Sequence, residues 1–323
     1  MKCWVLVSVI GLSGCYATHL GIGQYDLLSR REPMAGVLDD PTRDAELRRQ
    51  LGVVRDARVF SVQALQLPDN DSYTDYADLA RPCAVWNVFV TPEFSLEGKT
   101  WCYPFAGCVT YRGYFDEARA RTVAGDWEAQ GWETHVGCVP AYSTLGWFDD
   151  PVLSSMLRWD DDRLIETLFH ELAHQQLFVE DDTAFNESFA TFVGEEGLRQ
   201  FRASRGEPPP DTKAASHEQQ FLELLLAARA RLEAIYAQPL NHEAMRAAKQ
   251  AEFARLRADY VALKKTWNGY AGYDGWFAGE LNNAKLLPVG LYNQRVPEFA
   301  ALFREVGGDW GVFYEKARAL AID

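Results

Sequence analysis

The chain has 323 residues, 48% of them apolar and 24% charged, which excludes a disordered or low-complexity protein. With 46 acidic against 32 basic side chains the formal charge is −14, which argues against nucleic acid or anionic lipid headgroups as partners. The length suits one large domain or two modest ones, and no internal repeat is visible.

Residues 1–14 read as a lipoprotein signal peptide. Lys2 gives a positive start, Val5 to Gly11 a short apolar run, and Leu12-Ser13-Gly14-Cys15 a lipobox whose cysteine becomes the lipidated N-terminus. The run is too short to span a bilayer, and no later one is long enough; several acyl chains on Cys15 would anchor the chain stably. The expected location is therefore the periplasmic face of a bacterial cell envelope. Tyr16 stands where Asp would signal inner-membrane retention, so the outer membrane is the expected one. In that oxidising compartment Cys83, Cys102, Cys108 and Cys138 suggest two disulfides, with three connectivities open. The short YPFAG loop favours Cys102–Cys108, with Cys83–Cys138 as the second pair. No CxxC unit supports a cysteine metal site.

Residues 15–40 read as a tether and first helix. DPTRDAELRRQLGVV then has a helical pattern, and ARVFSVQAL a strand-like one. Residues 81–146 are β-prone, mixing aromatic and β-branched residues with Gly and Pro, around a helix over 115–130. From Asp160 the period becomes helical, with Asp161 or Asp162 as N-cap and an end at Val179; Asp181-Asp182-Thr183 caps the next helix. RGEPPPD (205–211) breaks it. A helical hairpin follows over 214–266, turning at residues 238–241, with His217 and His242 on its surface, and a helical tail starts at Val296.

His170-Glu171-Leu172-Ala173-His174 carries the chemistry. Four residues of α-helix turn about 400°, so both imidazoles leave one face, one turn apart. Two neutral imidazoles can grip one zinc ion, and Glu171 is placed to act as general base on a zinc-activated water. Phe169, Leu172 and Ala173 supply the apolar flanks of a buried site. A hydrolytic zinc needs a third protein ligand. Glu187 lies in the first turn of the next helix, which the short connection from Val179 to Thr183 would fold back on the first. Glu195 and Glu196, two turns further on, are the alternatives. The oxyanion would need a donor, for which Tyr142, Arg112 and Tyr292 are candidates. Pro140 to Gly146 reads as an edge strand that could bind substrate through its main chain.

Asn186-Glu187, with Thr191 one turn later, resembles the NExxx(D/T) helix of glutamate-type zincins; Glu180 stands where the third histidine of a metzincin would be. TWCYPFAGCVTYRGYF, VPAYSTLGWFDDP, TLFHELAHQQLFVEDDTAFNESFATFVGEEG and LNNAKLL together resemble the bacterial lipoprotein family labelled predicted zinc aminopeptidases. The resemblance implies an α+β, zincin-like metallopeptidase over 41–323. This would comprise a β-rich part (41–159), active-site helices (160–204) and a mostly helical region (211–323) with its long hairpin. It also implies His170, His174 and Glu187 as ligands of one zinc ion, and Cys102 and Cys108 as part of the family pattern; Cys83 and Cys138 are then extras that pair with each other. The GxMEN motif of better-understood aminopeptidases is absent, so the group reading a free α-amine is open, with Glu180, Asp181 and Asp182 as guesses.

The leading expectation is a membrane-anchored zinc peptidase of aminopeptidase type acting on peptides. The alternatives are a zinc endopeptidase, a cell-wall peptide amidase, or a non-catalytic envelope lipoprotein on a zincin fold. Oligomeric state is not written in the sequence.

Overall fold

The computed structural model describes residues 3–103, 107–141, 143–144, 146–210, 212–293 and 295–320, with the backbone alone for 3–15, 212–215 and 290–293. Helix α1 (Cys3–Ser29) leads into strand β1 (Arg31–Pro33), α2 (Met34–Asp39) and α3 (Ala45–Gln63). The expected tether is not seen from Tyr16 onward. Tyr16 is already buried among Val88, Val90 and Tyr114, its hydroxyl donates to the Gly113 carbonyl at 2.9 Å, and Leu27 lies in the main core. The strand expected over ARVFSVQAL is instead the second half of α3. Leu51, Val54, Ala57, Arg58 and Ser61 are buried at helical spacing, so packing of one face overrides the β-branched propensity of the segment.

Strands β2 (Asp75–Ala77), β3 (Val85–Thr91), β4 (Trp101–Tyr103), β5 (Gly107–Val109) and β6 (Tyr111–Tyr114) precede helix α4 (Glu117–Glu128), β7 (Glu133–Val139) and β8 (Val152–Leu153). They form three small sheets, ordered β1-β2-β8, β6-β3-β7 and β4-β5. In the second, β3 is central, antiparallel to both neighbours and buried along its length. Trp86, Val88 and Val90 pack towards α4 through Ala120 and Ala124, and alternate residues point to the other face. There Val85 joins the main core. Cys83–Cys138 ties the start of β3 to β7, and Cys102–Cys108 closes the β4–β5 hairpin, the two pairings the sequence favoured.

The strand expected at 140–146 does not form in its described residues: β7 ends at Val139. The cause is Asp150, whose buried carboxylate accepts the Thr144 N–H at 2.8 Å and draws the segment into a loop.

Helices α5 (Asp161–Gln176) and α6 (Thr183–Ser204) pack along each other in the main core. The hairpin α7 (Thr212–Tyr236) and α8 (His242–Thr266) has its own apolar cluster, built on Leu225, Leu232, Phe253 and Leu256. Then come α9 (Asp274–Ala278), α10 (Asn283–Asn293), α11 (Val296–Glu305) and α12 (Trp310–Leu320). On the sheet face opposite α4, Phe89 packs under Ala284 and Leu287 of α10. Phe185, Phe189 and Phe192 of α6 stack against Phe299, Phe303 and Phe313 of α11 and α12, which fixes α6 from its far side. The result is a mixed α+β protein, mostly helical. Among the described residues no helix is long and apolar enough to cross a membrane.

Two glycines let α6 approach α5. A Cβ on Gly194 would stand 2.8 Å from the Glu166 carbonyl oxygen and 3.5 Å from the His170 Cβ; one on Gly197 would stand 2.7 Å from the Phe169 ring. Gly194→Ala is expected to cost about 1–3 kcal/mol, as overpacking of a fitted core does. Gly125→Ala in α4, with open space around it, should gain about 0.5–1 kcal/mol. Urea unfolding of both variants checks this pair.

Candidate metal centre

Helix α5 starts at Asp160, whose carboxylate accepts the Arg163 N–H at 2.9 Å, with Asp161 and Asp162 in a first turn that favours negative charge. Leu164, Ile165, Leu168 and Leu172 bury one side of it, which turns His170 and His174 together towards α6. Helix α6 starts at Asp182, which accepts the Phe185 N–H at 2.8 Å. Asn186 then clamps the connection between the two helices. Its amide donates to the Val179 carbonyl at 2.7 Å and its oxygen accepts the Val179 N–H at 2.7 Å. This holds the next residue, Glu187, over the two histidines. Asn186 is 3% exposed; the sequence offered it only as part of an Asn-Glu pair, without this role.

His170 Nε2 and His174 Nε2 are 3.1 Å apart, and Glu187 Oε2 lies 3.4 Å from the first and 3.7 Å from the second. Donors bound at about 2.0–2.1 Å around a tetrahedral ion stand about 3.3–3.4 Å from one another. The three atoms therefore fit one face of such a tetrahedron, and these residues form the candidate metal-binding group among the described residues. His174 Nδ1 is buried with no hydrogen-bond partner among the described residues; the Nε2 atoms are the ones that converge. Glu195 and Glu196 do not enter the group. Glu196 is engaged by Arg199 at 2.6 Å and Gln200 at 2.7 Å, and Glu195 interacts with Glu166 and Glu218 instead.

The site is desolvated, and its charges act strongly on one another. Burial pushes Glu171 up to about 7; His174 opposes the shift, while the charges of Glu187 and Asp150 add to it. Burial would raise Glu187 as well, but hydrogen bonds to His170 and His174 and their charges outweigh it and bring the carboxyl down to about 2. Burial lowers His170 despite its bond to Glu187; in His174, Glu187 and Glu171 outweigh burial and raise the imidazole.

The three oxyanion candidates fare differently. Arg112 lies on the α4 face of the sheet, its guanidinium 3.7 Å above the Tyr16 ring. Tyr142 and the Tyr292 side chain lie outside the described residues. The residue the sequence reading missed is Tyr111, beside Arg112 but on the opposite face of β6. Burial raises its ionisation, and the charges of Glu187 and Glu171 raise it further. Its hydroxyl stays neutral and has no hydrogen-bond partner among the described residues. In a strand one step along the sequence changes the face, so TYRGYF held the signal but not the register. Of the proposed amine readers, Asp181 accepts the Cys108 N–H at 2.6 Å and Asp182 caps α6. Cys15 lies in α1, with its side chain outside the description.

Fold and site together define a mixed α+β protein with a buried two-histidine, one-carboxylate centre and a further carboxyl beside it. The family model described as "Putative aminopeptidase" matches residues 15–322, and the chain belongs to that family. No curated protein and no solved structure matches it.

Asp150, whose charge reaches Glu171, is 3% exposed and is pushed up to about 6 by burial, against the bonds it accepts from Thr144 and Ser143. A raised carboxyl favours folding while protonated, and that stability is lost as pH climbs from about 4 through about 6. Asp150→Asn is therefore expected to gain on the wild type by up to about 3 kcal/mol between pH 4 and pH 7. Denaturant midpoints across that range test the sign.

Proposed function

We propose that the chain is a zinc-dependent peptide hydrolase of aminopeptidase type, anchored to the bacterial envelope through lipid on Cys15. The observation that carries the reading is the near-equal spacing of His170 Nε2, His174 Nε2 and Glu187 Oε2, with Glu171 buried beside them. Family membership supports peptidase action, and the mixed α+β architecture with the HExxH helix supports a zincin-like peptidase domain over 41–323.

His170, His174 and Glu187 would hold the zinc. A zinc ion there supplies a Lewis acid and brings the pKa of a bound water to about 7. Burial pushes the Glu171 carboxyl up to about 7, and this carboxyl would take a proton from the attacking water and return it to the leaving nitrogen. Tyr111 keeps its proton and can donate a hydrogen bond to the oxyanion as it forms. The apolar flanks of α5 exclude bulk water and strengthen each of these interactions.

Zinc-loaded protein is expected to bind about one zinc per chain and to release single residues from peptides with free N-termini but not from N-acetylated ones. Internal cuts would instead support an endopeptidase, and release from cell-wall peptides an amidase. Glu171→Gln should keep the metal and lose about 10²–10⁴-fold in rate, whereas Glu187→Ala should lose the metal. Full activity in Glu171→Gln would refute the mechanism. For the anchor, Cys15→Ser should move the protein from the membrane to the soluble fraction. Tyr16 is already packed, so the folded body would sit directly at the bilayer surface.

A further inference from the structure

The connection between the two ligand helices spans residues 177–182, and Asn186 grips it at Val179 from the α6 side. A second grip comes from outside the helix pair. The Cys108 N–H of β5 donates to Asp181 Oδ1 at 2.6 Å. Beside it, a Cβ on Gly107 would stand 2.7 Å from Asp181 Oδ1, 2.7 Å from Glu180 Cγ and 3.1 Å from the Asp181 nitrogen. The β4–β5 hairpin thus sits against the connection with no space for a side chain at position 107.

Both contact residues have left-handed backbone, Gly107 with φ +66° and Asp181 with φ +67°. At 107 glycine answers the conformation and the close approach together. At 181 glycine would be the unstrained choice, yet the chain has aspartate. Aspartate tolerates this region better than most side chains do, and here its carboxylate reaches the hairpin. The turn alone calls for no carboxylate; the contact with Cys108 does.

The hairpin is built to hold its shape. Its strands have three residues each and form a two-stranded sheet of their own, and such a ribbon is marginally stable when isolated. Cys102–Cys108 closes it across a pair of facing residues. Trp101 and Tyr103 fasten it to the cluster on the α4 side of the main sheet, where Tyr103 meets the Tyr16 ring. One part of the hairpin is therefore tied to a core, and another part to the segment between His174 and Glu187.

We infer that the disulfide-closed β4–β5 hairpin is a brace for the metal centre, with Asp181 as the positioning residue through which it sets the approach of Glu187 to the two histidines. The inference rests on the zinc reading of those three ligands. A connection already held in its bound geometry need not be ordered when the metal arrives, so the hairpin contact adds to metal affinity. The contact lies at the surface, so Asp181 can be changed without opening the buried centre.

Zinc competition against a chromogenic chelator, on the full oxidised chain, tests this. Asp181→Gly relieves the left-handed backbone and removes the acceptor. Its urea midpoint should change little while zinc affinity falls on the order of tenfold, the scale of one hydrogen bond to a charged group. Asp181→Asn keeps an acceptor and suits the same backbone, so it should retain most of the affinity. Cys102→Ser/Cys108→Ser should weaken zinc binding as Asp181→Gly does, and the three changes together should cost no more than either, because they break one chain of contacts. Unchanged affinity in Asp181→Gly, or losses that add when the changes are combined, overturns the brace and leaves the zinc site standing. A wild type that binds no zinc sinks the zinc reading instead, and the brace is then read without metal. Amide hydrogen exchange over residues 177–187 should quicken in Asp181→Gly; equal exchange in wild type and variant overturns the brace as well.

Discussion

The site depends on how closely α6 can lie against α5. Gly194 and Gly197 remove the side chains that would hold the helices apart, the Phe185–Phe189–Phe192 stripe presses α6 from behind, and Asn186 locks the connection through both polar atoms of Val179. With those constraints met, the first turn of α6 has no freedom to carry Glu187 away from the histidines. The three-residue centre is thus a consequence of helix packing, with polar precision supplied by one buried carboxamide.

Burial gives the two glutamates different jobs. Glu187 accepts from two imidazoles and is held ionised; Glu171 lies one residue from His170, lacks such partners, and is driven towards neutrality. Two identical side chains a few ångströms apart thereby divide into a ligand and a proton carrier, because environment moves their ionisation in opposite directions. Asp150 holds the Thr144 backbone and adds its charge to the field on Glu171.

Much of this was legible in the sequence where the determinants are local. The i, i+4 histidines, the Asp182 cap of α6, the hairpin at 238–241 and the cysteine pairs depend on short-range geometry, and the structure contains each of them, whereas the α5 cap is Asp160, just before the expected Asp161 or Asp162. Glu187 could be singled out over Glu195 because a short connection restricts where the next helix can start. What could not be read depends on tertiary partners. ARVFSVQAL looks extended until one face of α3 is seen to be buried. Residues 140–146 look extended until Asp150 reaches back to Thr144. Arg112 and Tyr111 are neighbours whose surroundings depend on strand register, and pairing with Phe89 puts Tyr111 on the sheet face opposite α4.

Zinc held by His170, His174 and Glu187 is most directly tested by zinc-edge X-ray absorption on the loaded full chain. Scattering from two imidazoles is expected, with only nitrogen and oxygen donors at about 2.0–2.1 Å. A sulfur shell near 2.3 Å, or a spectrum without imidazole scattering, would contradict it.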